Sequence, residues 1–182
     1  MNIVTLVGSL RKNSFNMQVA KTMQERYKDK LNMQIPDIGA LPHFNQDDEL
    51  DPPQVVKDFK AAIANADGVI IITPEYNWSV PGVLKNALDW TSRVEQVFIG
   101  KPVMTLGATP GMMGTIRAQL HLREILVAPG IQAKVLPPGA NEILINFASQ
   151  KIDEQTGQLV DETTLNFLDS KVDAFIDFVK TK

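Results

Sequence analysis

The sequence predicts a doubly wound α/β fold: a five-stranded parallel sheet in the order 2-1-3-4-5, flanked by helices. Three observations carry that prediction. Short apolar runs alternate with segments of helical period along the chain, the pattern of βαβ units. One run, Gly68–Thr73 (GVIIIT), is unbroken and β-branched, as expected of a strand buried on both faces. The segments after the first, third and fourth runs are rich in Gly, Pro, Ser and Asn, and a doubly wound sheet places such loops together at its C-terminal edge.

The elements follow in order. Ile3–Val7 reads as the first strand. Asn16–Tyr27 reads as a helix, with Met17, Ala20, Met23 and Tyr27 at spacings of three and four. Leu31–Ile35 is a short second strand, and Pro36, Pro42, Pro52 and Pro53 punctuate the loop that follows it. Val55–Ala66 is helical and Gly68–Thr73 is the third strand. Pro81 starts a helix that ends at Trp90, since proline is tolerated in a first helical turn. Pro102–Leu106 is the fourth strand, Ile116–Val127 a helix and Ile131–Leu136 the fifth strand. A loosely patterned stretch reaches Leu159, and a last helix spans Glu162–Lys180. Five strands and no sixth favour 2-1-3-4-5 over 3-2-1-4-5-6. Without an internal repeat or a linker, residues 1–182 read as one domain.

Composition excludes several functions. The chain has no cysteine, which removes disulfides, thiolate metal sites and cysteine nucleophiles. With two histidines, a histidine-rich metal centre is not expected. A net charge of −3 gives no reason to expect nucleic acid or an anionic membrane as partner. The start of the chain lacks the pattern of a signal peptide, and no apolar run suffices to span a bilayer, so a cytoplasmic protein is expected.

Three loops carry the candidate site. The first, Gly8–Asn16, is rich in hydroxyls and amides and opens into a helix whose leading N–H groups lack partners, an arrangement that suits an anion. Ser9, Ser14 and Asn16 add polar side chains, Arg11 a charged fork, and Phe15 stands beside them. A plain N-cap by Ser14 with a solvated Arg11 explains this loop equally well. It matches neither GxGxxG nor GxxxxGK[ST], so no dinucleotide fingerprint or P-loop is indicated. The second loop, Thr73–Gly82, is stiffened by Pro74 and Pro81 and sets Tyr76 and Trp78 among polar residues, as a flat aromatic ligand would require. The third, Gly107–Thr115, has three glycines that permit close backbone approach, although alone it reads as a turn before a helix.

GSLRKNSFN, TPEYNWSVPGVLKNALDW and GATPGMMGTIRAQ resemble the signatures of the NADPH-dependent FMN reductase family, which includes bacterial quinone, azo-dye and chromate reductases. The resemblance extends to about Leu136. It implies a flavodoxin-like fold, FMN as cofactor, NADPH or NADH as donor, and a homodimer or homotetramer. By similarity Ser9, Arg11, Ser14 and Asn16 would bind the FMN phosphate, with Phe15 beside them. Pro74, Glu75, Tyr76 and Asn77 would border the isoalloxazine and ribityl chain. Thr109, Gly111 and Gly114 are the candidates from the third loop, which departs from the family pattern by opening with Gly107.

Related folds fit less well. A response regulator needs acidic residues where Ser9 and Thr73 stand, and a low-molecular-weight tyrosine phosphatase needs a cysteine. A flavodoxin-type electron carrier is the alternative, but such carriers are usually more acidic. The expected activity is ping-pong hydride transfer from a nicotinamide, through the flavin, to a small acceptor such as a quinone, free flavin or azo compound. No side chain is assigned as acid or base, and no metal is expected. Trp90 and the broad apolar surface of Leu120, Leu122, Ile125 and Leu126 suggest self-association through the two helices that follow the binding loops.

Overall fold

A computed structural model describes residues 1–181. Its parallel sheet comprises β1 (Asn2–Val7), β2 (Asn32–Gln34), β3 (Gly68–Ile72), β4 (Pro102–Ala108), β5 (Lys134–Val135) and β6 (Ile143–Ile145). The order is β2-β1-β3-β4-β5, and β6 also pairs with β4. The central strands carry side chains that both faces must bury. Along β1, Ile3 and Val7 join one core, while Val4 and Leu6 join the other. Along β3, Ile70 and Ile72 face the first core and Val69 and Ile71 the second. This two-sided burial is the physical basis of the continuous apolar runs.

Helices cover both faces. α1 (Phe15–Arg26) and α6 (Glu162–Lys180) pack on one side through Val19, Ala20, Met23, Leu168, Val172 and Phe175. α2 (Gln54–Asn65), α3 (Gly82–Thr91) and α4 (Ile116–Leu126) pack on the other through Val56, Phe59, Ile63, Leu84, Leu88, Leu122 and Leu126. The four-residue α5 (Ala148–Lys151) leads from β6 toward α6. α1 and α6 are also tied at the surface. Arg26 donates to both Asp169 oxygens at 2.7 Å, and the Tyr27 hydroxyl donates to Asp169 at 3.0 Å.

The fifth strand differs from expectation. Of Ile131–Leu136 only Lys134–Val135 is strand, pairing with Pro102–Val103. Pro137 and Pro138 follow and have no N–H to continue the ladder. The rest of the β4 edge is taken by β6, which sets Ile143, Leu144 and Ile145 opposite Leu106, Gly107 and Ala108. One position in the sheet is thus filled by two separate segments. The second came from the stretch that had no clear pattern, because three residues are too few to show a period.

The proline-punctuated loop is also ordered. It contains two short 3₁₀ turns, Ile38–Ala40 and Gln46–Asp48, and buries Ile38 and Leu41. α3 holds it in place: Asn86 accepts from Phe44 N–H at 2.7 Å and donates to the Pro42 carbonyl at 2.9 Å. The Trp90 indole donates to the same carbonyl at 2.8 Å. Trp90 is therefore a core residue, 2% exposed, with Phe44 edge-on to it, and is not available to a partner. On α4 the same correction applies to Leu122 and Leu126, which are fully buried, whereas Leu120 remains 48% exposed.

Candidate flavin site

The three loops converge at the C-terminal ends of β1, β3 and β4. The cleft between them has a volume of about 440 Å³, within the range of small-molecule sites. Ser9, Arg11, Ser14, Phe15, Asn16, Pro74, Glu75, Tyr76 and Thr109 all line it, as do Ala108 and Pro110, which the sequence did not single out. Asn77, Gly111 and Gly114 are outside this lining.

The first loop forms one end. Ser14 caps α1, accepting from Met17 N–H at 3.4 Å. The backbone N–H groups of Phe15 and Asn16 have no partner among the described residues. Ser9 Oγ lies 3.4 Å from the Tyr76 hydroxyl, linking the first loop to the second. Arg11 is exposed, with its guanidinium 5.1 Å from the Phe15 ring centroid. Two orphan N–H groups at a helix start, two hydroxyls and a guanidinium match the needs of a phosphate. Asn16 has a different task. Its buried amide donates to the Ala108 carbonyl at 3.0 Å and accepts from Ala108 N–H at 2.9 Å. Its side chain clamps α1 to the end of β4, using its carbonyl and one of its two amide hydrogens on Ala108.

The second loop forms the opposite wall. Tyr76 and Ser79 exchange backbone hydrogen bonds at 3.1 Å and 3.0 Å around Asn77 and Trp78, with φ of 51° and 63°. A two-residue turn with both central residues left-handed is strongly twisted, and for tryptophan that conformation carries strain. Asn77 therefore serves the turn. Trp78, 72% exposed, lies under the Arg117 guanidinium at 4.1 Å from the ring centroid. The backbone N–H groups of Glu75 and Asn77 have no partner among the described residues. Orphan amides beside Pro74 and the half-exposed Tyr76 suit the polar edge and flat face of a fused ring.

Glu75 carries the only carboxylate in the cleft lining. One of its oxygens accepts from the N–H groups of Arg117 at 3.0 Å and Ala118 at 3.2 Å, and the other lies 3.6 Å from the Arg117 guanidinium. Thr115, the preceding residue, makes no side-chain cap, so Glu75 caps α4 from another loop. That leaves no unpaired carboxylate in the cleft wall.

The third loop owes its shape to β6. Thr109 N–H donates to the Ile145 carbonyl at 3.0 Å, while Ala148 and Phe147 donate to the Thr109 and Gly111 carbonyls at 3.0 and 3.1 Å. The Gln119 amide donates to the Gly114 and Ile143 carbonyls at 3.2 Å and 3.1 Å. Gly114 has φ +58°, and a Cβ there would stand 2.5 Å from Leu144 Cβ. Its glycine is required by packing against β6. Among the described residues no cluster of His, Cys, Asp or Glu could hold a metal, and no helix is long and apolar enough to cross a membrane.

A doubly wound sheet that gathers an anion seat and an aromatic wall at its switch point defines a mononucleotide-binding protein of flavodoxin type. Residues 1–149 match the model of the NADPH-dependent FMN reductases, and the chain belongs to that family. A quinone reductase of Escherichia coli is 40% identical, over 99% of this chain and 96% of its own. The NADH-dependent flavin reductase subunit 2 of Lactobacillus johnsonii is 39% identical, over 99% and 98%. Among solved structures, the flavoenzyme NAD(P)H:(acceptor) oxidoreductase FerB of Paracoccus denitrificans superposes with a TM-score of 0.87 at 35% identity, covering 98% of this chain and 97% of that one. The chain is thus an FMN-using, nicotinamide-dependent oxidoreductase, and the electron-carrier reading is set aside.

Proposed function

We propose that this reductase passes electrons from NADH or NADPH to a small planar acceptor, a quinone or a free flavin before an azo compound. The observation that carries the reading is the engagement of Glu75: with its carboxylate bound to the start of α4, the cleft offers position and an aromatic surface but no free carboxylate. Arg11, the hydroxyls of Ser9 and Ser14 and the N–H groups of Phe15 and Asn16 hold the phosphate. Pro74, Glu75 and Tyr76 border the ring, and Thr109 closes the third side. Bound FMN supplies the chemistry, accepting a hydride from the nicotinamide and returning electrons to the acceptor. Tyr76 and Trp78 stay exposed and give a planar acceptor a stacking surface at the cleft mouth.

The names of the E. coli and L. johnsonii relatives support quinones and flavins as acceptors. A homodimer or larger assembly is part of the proposal, supported by the exposed Leu120 and Val127 on and just after α4. Steady-state kinetics with both nicotinamides and a panel of benzoquinones, FMN and azo dyes tests the function. Parallel double-reciprocal lines and the highest kcat/KM for a quinone or flavin are expected. Flavin that stays oxidised under excess NADH and NADPH would remove the reading.

A further inference from the structure

We infer that the chain has a second subsite, next to the phosphate end of the flavin cleft, that takes the adenylate half of FAD. The inference rests on the proposal that Gly8–Asn16 holds the flavin phosphate. A groove of about 580 Å³ runs between the start of α1 and the turn linking α5 to α6. Arg11 and Phe15 line both this groove and the flavin cleft, so the two spaces are neighbours with these side chains between them.

The groove is built to be rigid. Ile152 and Leu159 form an antiparallel bridge, and Asp153 accepts from both Thr156 N–H and its hydroxyl at 2.7 Å. Leu159 N–H donates to Thr22 Oγ1 on α1 at 3.0 Å, which fixes the turn to the helix. Three cations, Arg11, Lys12 and Lys21, face the space against one carboxylate, Glu154. Gln155 and Gln158 supply amide donors and acceptors from the turn, and Phe15 an aromatic edge. A net positive groove with amide groups and an apolar surface suits a phosphorylated purine nucleoside.

Position selects the dinucleotide. The groove opens at the phosphate end, away from the Pro74–Tyr76 wall where the nicotinamide and acceptor must approach the ring. A ligand reaching it from the cleft must be joined through the flavin phosphate. FAD is joined in that way, and the nicotinamide donor is not.

The test titrates the full chain, freed of flavin, with FMN and with FAD by calorimetry. Both should bind. Lys21→Glu, at an exposed position, should weaken FAD about tenfold or more, a loss of about 1.4 kcal/mol, and leave FMN unchanged. Gln155→Trp should fill the groove from the exposed turn and have the same selective effect. If FMN binds and FAD does not, or if both variants leave FAD affinity equal to that of the unmodified chain, the subsite is refuted. If FMN itself fails to bind, the phosphate-loop reading falls and the subsite with it.

Discussion

The Asn16 side chain and the Ala108 backbone exchange two hydrogen bonds, at 3.0 Å and 2.9 Å, between positions 92 residues apart. The pair is buried and joins the loop after β1 to the loop after β4. Asn16→Ala would leave a carbonyl and an N–H without partners. Each orphan costs about 1–3 kcal/mol, so a loss of roughly 2–6 kcal/mol is expected. Urea unfolding of the flavin-free chain measures it. A loss below about 1 kcal/mol would mean that water replaces the amide at no penalty.

Glu75 is expected to matter for stability more than for turnover. Glu75→Ala removes the cap of α4 at a cost of about 1–2 kcal/mol. For a chain of this length the Tm should drop by roughly 2–8 °C. Glu75→Gln keeps an acceptor and should recover much of that. Thermal melts of both variants with FMN bound decide the matter, and equal Tm values for Ala and wild type would contradict the cap.

Arg11→Ala should weaken FMN about 10- to 100-fold, since one charged hydrogen bond to phosphate contributes about 1.5–3 kcal/mol. Arg11 is exposed, so the flavin-free Tm should not change. Arg11→Lys keeps the charge without the fork and should fall between. Fluorescence titration reads all three; unaltered affinity in Arg11→Ala would place the phosphate elsewhere.

Trp78 is outside the cleft lining, two residues beyond Tyr76, and is exposed, which under the proposed function leaves it free to stack on an acceptor. Trp78→Ala also frees the Arg117 guanidinium from the ring. Quinone KM should rise several-fold, about 1 kcal/mol of stacking, with FMN affinity unchanged. A KM that stays constant across the quinone panel would exclude Trp78 from acceptor binding.

The Arg26–Asp169–Tyr27 cluster makes stability pH-dependent at both ends of the scale. The hydrogen bonds from Arg26 hold the Asp169 carboxyl below its ordinary value near 3.8. A depressed carboxyl contributes stability above its unfolded pKa and loses it as pH falls through the folded one. Wild type should therefore exceed Asp169→Asn at neutral pH, and the gap should close below about pH 4. Burial, then donation to Asp169, raises the Tyr27 phenol above its ordinary 10.0, so its contribution is lost as pH rises beyond that value. Urea midpoints measured across pH give both limbs. A gap that persists undiminished at low pH would show that Asp169 acts through packing alone.

Much of the cleft was legible in the sequence. The β1, β3 and β4 runs are apolar on both faces, and topology sends the loops that follow them to one edge. Nine of the twelve residues singled out line the cleft. Asn77, Gly111 and Gly114 lie outside that lining: Asn77 sits in the turn between Tyr76 and Ser79, Gly111 accepts from Phe147 N–H, and Gly114 packs against Leu144. The TPEYNWSVPGVLKNALDW segment also divides in a way that spacing does not reveal. Its first part forms the cleft wall, while Asn86 and Trp90 hold the Pro36–Pro53 loop through the Pro42 carbonyl.

Hydrophobic period, β-branched runs and turn residues are local properties, and they were enough to determine the sheet order, the position of its switch point and the loops that meet there. The tertiary structure alone decided what each polar group in those loops does. Asn16 clamps Ala108, Glu75 caps α4, and a second segment, β6, completes the sheet edge and shapes the third loop. Each depends on a partner remote in sequence, whose distance and direction are set only when the helices and strands have packed.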